Sequence, residues 1–274
     1  MLAFIDTGGS TMTTMTRHAA GMFCWTQLGT NDTKAAERFY SGLFGWKFEL
    51  SPVGERDKID LITLNGLPIG ALVPLAPEQR ELGVSWLPFV ATDNADATAA
   101  TVKQAGGKVV QGPMDASTNG RFAVFQDPTR ALFAVWQAGS KPGAAVVNEP
   151  GTMCWNELIT DDANKAGDFY KHVFGWTAEQ APLQQGGFYT IFKKDGAQAA
   201  GMMKATPDMK LTHPYWMTYF GVDDVDKSAE KTRQLGGKIM MPPADIPNIG
   251  RFSIVTDAQG GYFTLFKPLP SSKS

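Results

Sequence analysis

Glu157 stands two residues after Trp155 in GTMCWNELIT, and Gln27 stands two residues after Trp25 in GMFCWTQLGT. Residues two apart in a strand share a face, so each pair sets an indole beside a polar group. An apolar wall with a few polar atoms is the usual lining of a small-molecule pocket. A carboxyl group buried beside an indole has its pKa raised by desolvation, which suits a general base or acid. A carboxylate satisfied by a neighbouring Tyr or Arg is the structural alternative, and tryptophans fill core volume equally well. Near Glu157 in the pattern come Tyr189, His213, Tyr215 and Tyr219, all able to bond or transfer protons. At the matching positions 130 residues earlier stand Ile59, Gly83, Ser85 and Phe89. The second passage is therefore the richer in chemistry, and its pocket is expected to be the working one.

Arg121 and Arg251 each follow a glycine where a strand begins, in TNGRFAVFQDP and NIGRFSIVTDA. A guanidinium there either clamps a carboxylate or enolate in bidentate fashion or ties down the preceding loops, which carry Asp115 and Asp245. The segments GPMDASTNGRF and MPPADIPNIGRF read as loops rimming the pocket, with Met240 and Met241 as an adaptable apolar edge. His213 precedes Pro214, which keeps its backbone extended and lets the ring reach the pocket mouth. His18 lies in the leader, and His172 reads as a solvated helix residue. No glycine-rich loop matches a phosphate-binding signature, and there is no G-x-S-x-G elbow.

The elements that hold these residues repeat. Trp25 matches Trp155, Phe39-Tyr40 matches Phe169-Tyr170, Trp86 matches Trp216, Arg121 matches Arg251, and Asp127 matches Asp257. So long a period marks a duplicated domain rather than a solenoid. Each copy divides again. FCWTQLGT reads as a strand, and NDTKAAERFYSGLFG as a helix capped by Asp32 and ended by Gly45. Three short strands follow, and then the same order recurs. The expected boundaries are a flexible extension over 1–20, a first domain over 21–138, a linker over 139–150, a second domain over 151–268 and a tail over 269–274.

The chain has 274 residues, 43% hydrophobic and 19% charged, enough apolar content for a real core. Net charge is −2 and no Lys/Arg-rich block appears, which argues against nucleic acid and anionic membrane as partners. No apolar run approaches the roughly 18–20 residues of a membrane span. The leader lacks the features of a signal peptide. Cys24 and Cys154 occupy matching positions. A disulfide between them is open, but two reduced core thiols in a cytoplasmic chain is the preferred reading. The expected partner is a small molecule, and monomer and homodimer are both open.

FY…LFGW after the first strand and GRFAVFQDPTRALFAVWQ at the end resemble the vicinal oxygen chelate superfamily of glyoxalase I, bleomycin-resistance proteins and extradiol dioxygenases. The tandem two-domain glyoxalase-like branch is the nearer resemblance, over about residues 20–268. It implies an α+β fold: four βαβββ units forming two vicinal-oxygen-chelate-type domains, with curved sheets around a pocket and helices outside. It also implies one divalent metal per pocket, held by His and Glu on four strands. Carried over, those positions fall on Trp25, the segment 69–73, Leu87 and Ala134, then on Trp155, the segment 198–203, Met217 and Thr264. None provides a His or carboxylate, so no metal or other cofactor is expected. The resemblance then implies a glyoxalase-like protein acting on a small carbonyl-containing or aromatic metabolite, with lyase, isomerase or hydrolase chemistry left open. Glu157, His213, Tyr219 and Arg251 are its candidate catalytic residues. Trp25, Gln27, Arg121, Trp155, Tyr189, Met217 and Thr264 are its candidate ligand contacts. The alternative is sequestration without turnover, in the manner of bleomycin-resistance proteins, with Trp25, Trp46, Trp155 and Trp176 as stacking walls.

Overall fold

A computed structural model of the chain describes residues 13–52, 58–76, 83–183, 186–209 and 211–269. The first copy runs β1 (Phe23–Thr30), α1 (Thr33–Phe44), β2 (Lys47–Pro52), β3 (Lys58–Leu64) and β4 (Leu67–Pro74). It continues with β5 (Ser85–Ala91), α2 (Ala95–Gln104), β6 (Lys108–Asp115), β7 (Gly120–Gln126) and β8 (Leu132–Ala138). The second copy repeats this as β9 (Met153–Thr160), α3 (Ala163–Phe174), β10 (Thr177–Pro182), β11 (Phe188–Lys194) and β12 (Ala197–Lys204). Its latter half is β13 (Tyr215–Gly221), α4 (Val225–Gln234), β14 (Lys238–Ile246), β15 (Gly250–Thr256) and β16 (Tyr262–Pro268). The α+β class and the four βαβββ units are as the repeat predicts.

Each copy makes one eight-stranded sheet, ordered β2-β3-β4-β1-β5-β8-β7-β6 and β10-β11-β12-β9-β13-β16-β15-β14. The helix after β1 crosses over, and β4 returns to pair with it in parallel, while β5 joins its other edge antiparallel. The four central strands of each sheet thus come from both βαβββ units. Local chemistry sets the helices. In α1 the Asp32 side chain accepts from the Ala35 N–H at 3.0 Å, and Gly45 ends the helix at φ 75°. Ala36, Phe39, Tyr40 and Leu43 form its buried face.

The two copies do not keep separate cores. Tyr40 on α1 donates to Asp257 of the second copy at 3.0 Å, and Tyr170 on α3 donates to Asp127 of the first at 2.9 Å. Trp86 and Trp216 each donate to those phenols, at 3.1 and 2.8 Å. Trp46 donates to Gly151 O and Trp176 to Gly21 O, both at 2.8 Å. Phe263 of β16 packs on Phe39, Tyr40 and Phe44, and Phe133 of β8 packs on Phe169, Tyr170 and Phe174. Each first helix therefore seats on the other copy's sheet. Trp46 and Trp176, 1% and 3% exposed, belong to this shared core and are not stacking walls for a ligand.

Two other expectations change. Of the extension expected over 1–20, residues 1–12 lie outside the described residues, and 13–20 are mostly exposed but tied down at two points. Met15 N donates to Ala145 O at 2.7 Å, and buried His18 meets Ala144 O at 2.9 Å. The linker is likewise tied down, with Ala144 and Val146 buried and the Ala144 N–H donating to Cys24 O. The segments expected as rim loops are largely strand. β6 and β14 pair with β7 and β15 through two register shifts each, one at Val110 or Met240 and one at Gly112-Pro113 or Pro242-Pro243, where proline cannot keep a regular ladder. Both cysteines are free thiols, and burial pushes Cys154 up to about 12.

Candidate functional site

A cavity of about 2270 Å³ runs along the concave faces of both sheets. Period-2 alternation puts Trp25, Gln27, Trp155 and Glu157 on its wall, while Leu28 and Leu158 turn into the core. Sheet register then brings the second-copy residues together. Glu157 on β9 lies between Gly201 of β12 and Met217 of β13. Trp155 lies opposite Tyr219, and Tyr219 opposite Thr264 of β16. Tyr189 reaches in from β11, and its hydroxyl accepts from Trp155 Nε1 at 3.1 Å.

The centre of this arrangement is the Glu157 carboxylate, 7% exposed, with the Tyr189 and Tyr219 phenols donating to it. Burial raises its pKa, and the two phenols partly oppose that shift. Burial also raises both phenols well above their usual range, and the neighbouring carboxylate adds to this. Tyr215, closer to the mouth, is pushed up to about 12 by burial and by Tyr262 and Glu157. The site is a desolvated carboxylate held by two neutral phenols, which can take a proton and return it. At the matching first-copy positions Gln27, Ile59 and Phe89 offer one amide and two apolar groups.

Gly201 completes the site, and sequence reasoning missed it. A Cβ there would collide with the Tyr189 hydroxyl, and would stand 2.7 Å from Tyr189 Cζ and 2.9 Å from Trp155 Nε1. The signal was a glycine inside the strand AQAAGMMK, which marks close approach of another group. Gly201→Ala is expected to displace Tyr189 and to destabilise the fold by about 1–3 kcal/mol through overpacking. Chemical denaturation reads the cost. A near-ultraviolet spectrum unchanged around Trp155 would show that Tyr189 had not moved.

The other sequence candidates divide. Met217 lines the cavity beside Glu157, and His213 stands exposed at its rim. Thr264 is buried opposite Tyr219 on the neighbouring strand. Arg121 and Arg251 are corrections: neither lines the cavity. Arg251 is held by Asp226 at 2.7 Å and Asp245 at 3.0 Å, and Arg121 by Asp96 and Asp115, both at 2.8 Å. Two carboxylates saturate each guanidinium and pin a helix start to a strand end, which is the loop-anchoring alternative. Arg251 is thus not an oxyanion contact and Arg121 not a ligand contact.

The donor set does not suit a resident divalent metal. The positions carried over from the metal-binding pattern are aromatic, apolar or hydroxyl-bearing apart from the amide of Gln198, and the nearby carboxylate is already bonded to two phenols. Among the described residues no three His, Cys, Asp or Glu side chains converge.

Comparison with known proteins places these features. The sequence model of the Glyoxalase/Bleomycin resistance protein/Dioxygenase superfamily matches residues 22–135 and again 152–264. The chain is 38% identical over 248 residues to "Putative glyoxylase CFP32" of Mycobacterium bovis, covering 90% of this chain and 94% of that one. It is 34% identical over 266 residues to the anthracycline biosynthesis protein DnrV of Streptomyces peucetius, covering 92% and 94%. In structure it resembles the Mn(II)-bound glyoxalase of Novosphingobium aromaticivorans, with a TM-score of 0.62, 17% identity and coverage of 90% and 82%. It also resembles 2,2',3-trihydroxybiphenyl 1,2-dioxygenase of Sphingomonas wittichii, with a TM-score of 0.64, 14% identity and 91% of each chain covered. Identities this low speak for the fold alone.

Proposed function

Since the chain belongs to the glyoxalase/bleomycin resistance protein/dioxygenase superfamily, we propose that it is a glyoxalase-like enzyme whose second-copy pocket moves a proton on a small carbonyl-containing or aromatic metabolite without a bound metal. One observation carries this reading: a buried carboxylate gripped by two phenols in one copy, with an amide and apolar groups in its place in the other. The relatives named for glyoxylase and for anthracycline biosynthesis support a carbonyl or aromatic substrate.

Glu157 is the base. Burial raises its pKa and so its proton affinity, and its buried position excludes water from the transfer. Tyr189 and Tyr219 donate to the carboxylate while it is charged. When Glu157 takes the proton, a phenol is released to donate to oxygen charge developing on the substrate. Trp155 holds Tyr189 in place and offers a face for stacking.

The test is incubation with a panel of carbonyl and aromatic metabolites, followed by product analysis. Conversion of a bound compound is the expected result. A ligand recovered unchanged at every pH would make the protein a sequestering one. The donor set leads to a second expectation: protein purified without a tag carries no stoichiometric Fe, Ni, Zn or Mn. Elemental analysis finding about one tightly held ion per copy would sink the metal-free reading.

A further inference from the structure

We propose that the second-copy pocket selects bulky aromatic carbonyl compounds that are uncharged or carry an amine, and rejects anionic substrates, a glutathionyl conjugate among them. This rests on the second copy being the working pocket. The charges around that pocket are one-sided. Among the described residues that line the cavity the only Lys and Arg are Lys141 and Arg130, both from outside the second copy and Arg130 paired with Asp161 at 3.4 Å. Glu157 and Asp208 line it on the second-copy side without a Lys or Arg partner, and Asp245 does so paired to Arg251. Arg251 does not line the cavity and is saturated by Asp226 and Asp245. His213 is exposed at the mouth and leaves the interior without a basic group. An anion seated against Trp155 and Met217 would lose its hydration with no counter-charge to replace it, which is strongly unfavourable.

The mouth argues for size and apolarity. Met209, Met240 and Tyr262 line the cavity and are 45%, 49% and 43% exposed. Methionine edges adapt to flat, variable ligands, and an aromatic ring at the rim gives a stacking face. An amine is tolerated because Glu157 and Asp208 face the same space. A carboxylate or a glutathione tail would meet those acids with nothing to offset them.

The experiment uses the full chain and four probes, with binding read by tryptophan fluorescence. They are 2-acetylnaphthalene, its 6-carboxylate, its 6-aminomethyl derivative and S-hexylglutathione. The neutral ketone and the amine are expected to bind, and the carboxylate to bind at least about tenfold more weakly, which is about 1.4 kcal/mol. Met240→Arg adds a cation at an exposed rim position and should recover the carboxylate. Val110→Arg, its exposed first-copy counterpart, should not. A carboxylate bound as tightly as the ketone by the parent protein, or S-hexylglutathione bound in preference, overturns the proposal. Recovery by Val110→Arg instead of Met240→Arg also overturns it, by placing the site in the other copy. Turnover plays no part in these readings, so a failure of Glu157 as a base shows up separately.

Discussion

Glu157→Gln lowers turnover by about 10²–10⁴-fold, the usual worth of a general base, and leaves the fold as stable as the parent or more so. The substitution keeps the side-chain shape and removes the charge. Burial raises the folded-state pKa of Glu157 above its unfolded value. Its contribution to stability is therefore full below the unfolded pKa and is lost as pH rises through the folded pKa. Above that window the parent buries a charge that the Gln variant does not. Melting temperature measured across this pH range should fall more steeply for the parent than for the variant. Activity of the parent should climb over the same range, as a base loses its proton. Gln27→Glu should leave turnover near the parent value. A variant that loses melting temperature but keeps turnover would make Glu157 structural. Equal loss from disabling either pocket would point to a site shared between the copies.

Asp257→Ala is expected to destabilise the protein by about 3–5 kcal/mol, because it strands several buried donors at once. The Asp257 carboxylate accepts from Gln259 N at 2.8 Å, Gly261 N at 2.9 Å and Tyr40 Oη at 3.0 Å. Asp127→Ala should act alike, since that carboxylate accepts from Thr129 N, Thr129 Oγ1, Ala131 N and Tyr170 Oη. Tyr40→Phe removes one hydroxyl and should cost about 1 kcal/mol more than the packing it preserves, since Trp86 Nε1 also loses its acceptor. Urea unfolding measures all three. Because the Tyr40–Asp257 and Tyr170–Asp127 bonds run between copies, the parent should unfold in one transition. Two separable transitions, with Asp257→Ala shifting only one, would refute the shared core.

The repeat and its βαβββ units were legible because local signals agreed: Asp32 and Gly45 at the helix ends, alternation through FCWTQLGT, and turn residues between strands. The pairing of Trp155 with Glu157 on one face was legible for the same reason. What the sequence hid was long-range. The Tyr40–Asp257 bond joins residues 217 apart, and no periodicity reports such a contact. Arg251 was legible as a choice between ligand and anchor, and Asp226, on a helix start 25 residues away, settled it. Gly201 drew no reading from the sequence, and its role shows only once Tyr189 is placed above it. Trp46 and Trp176 stood as stacking walls only in the sequestering alternative, since an indole in the sequence fits a pocket or a core equally well. Only the other copy's backbone, at Gly151 and Gly21, decides between them.

The reciprocal seating of Tyr40 on Asp257 and Tyr170 on Asp127 has the pattern of an isologous contact, in which the same patch meets itself across a two-fold axis. The chain is in this sense a homodimer whose protomers have been tethered. Tethering replaces association by an intramolecular step, so the pair stays assembled at any dilution. It also lifts a constraint that binds every true homodimer. There, one gene dictates both pockets, and an acid installed in one is installed in both. A tethered pair can hold Glu157 on one side and Gln27 on the other, giving up symmetry where the chemistry is done and keeping it where the halves grip each other.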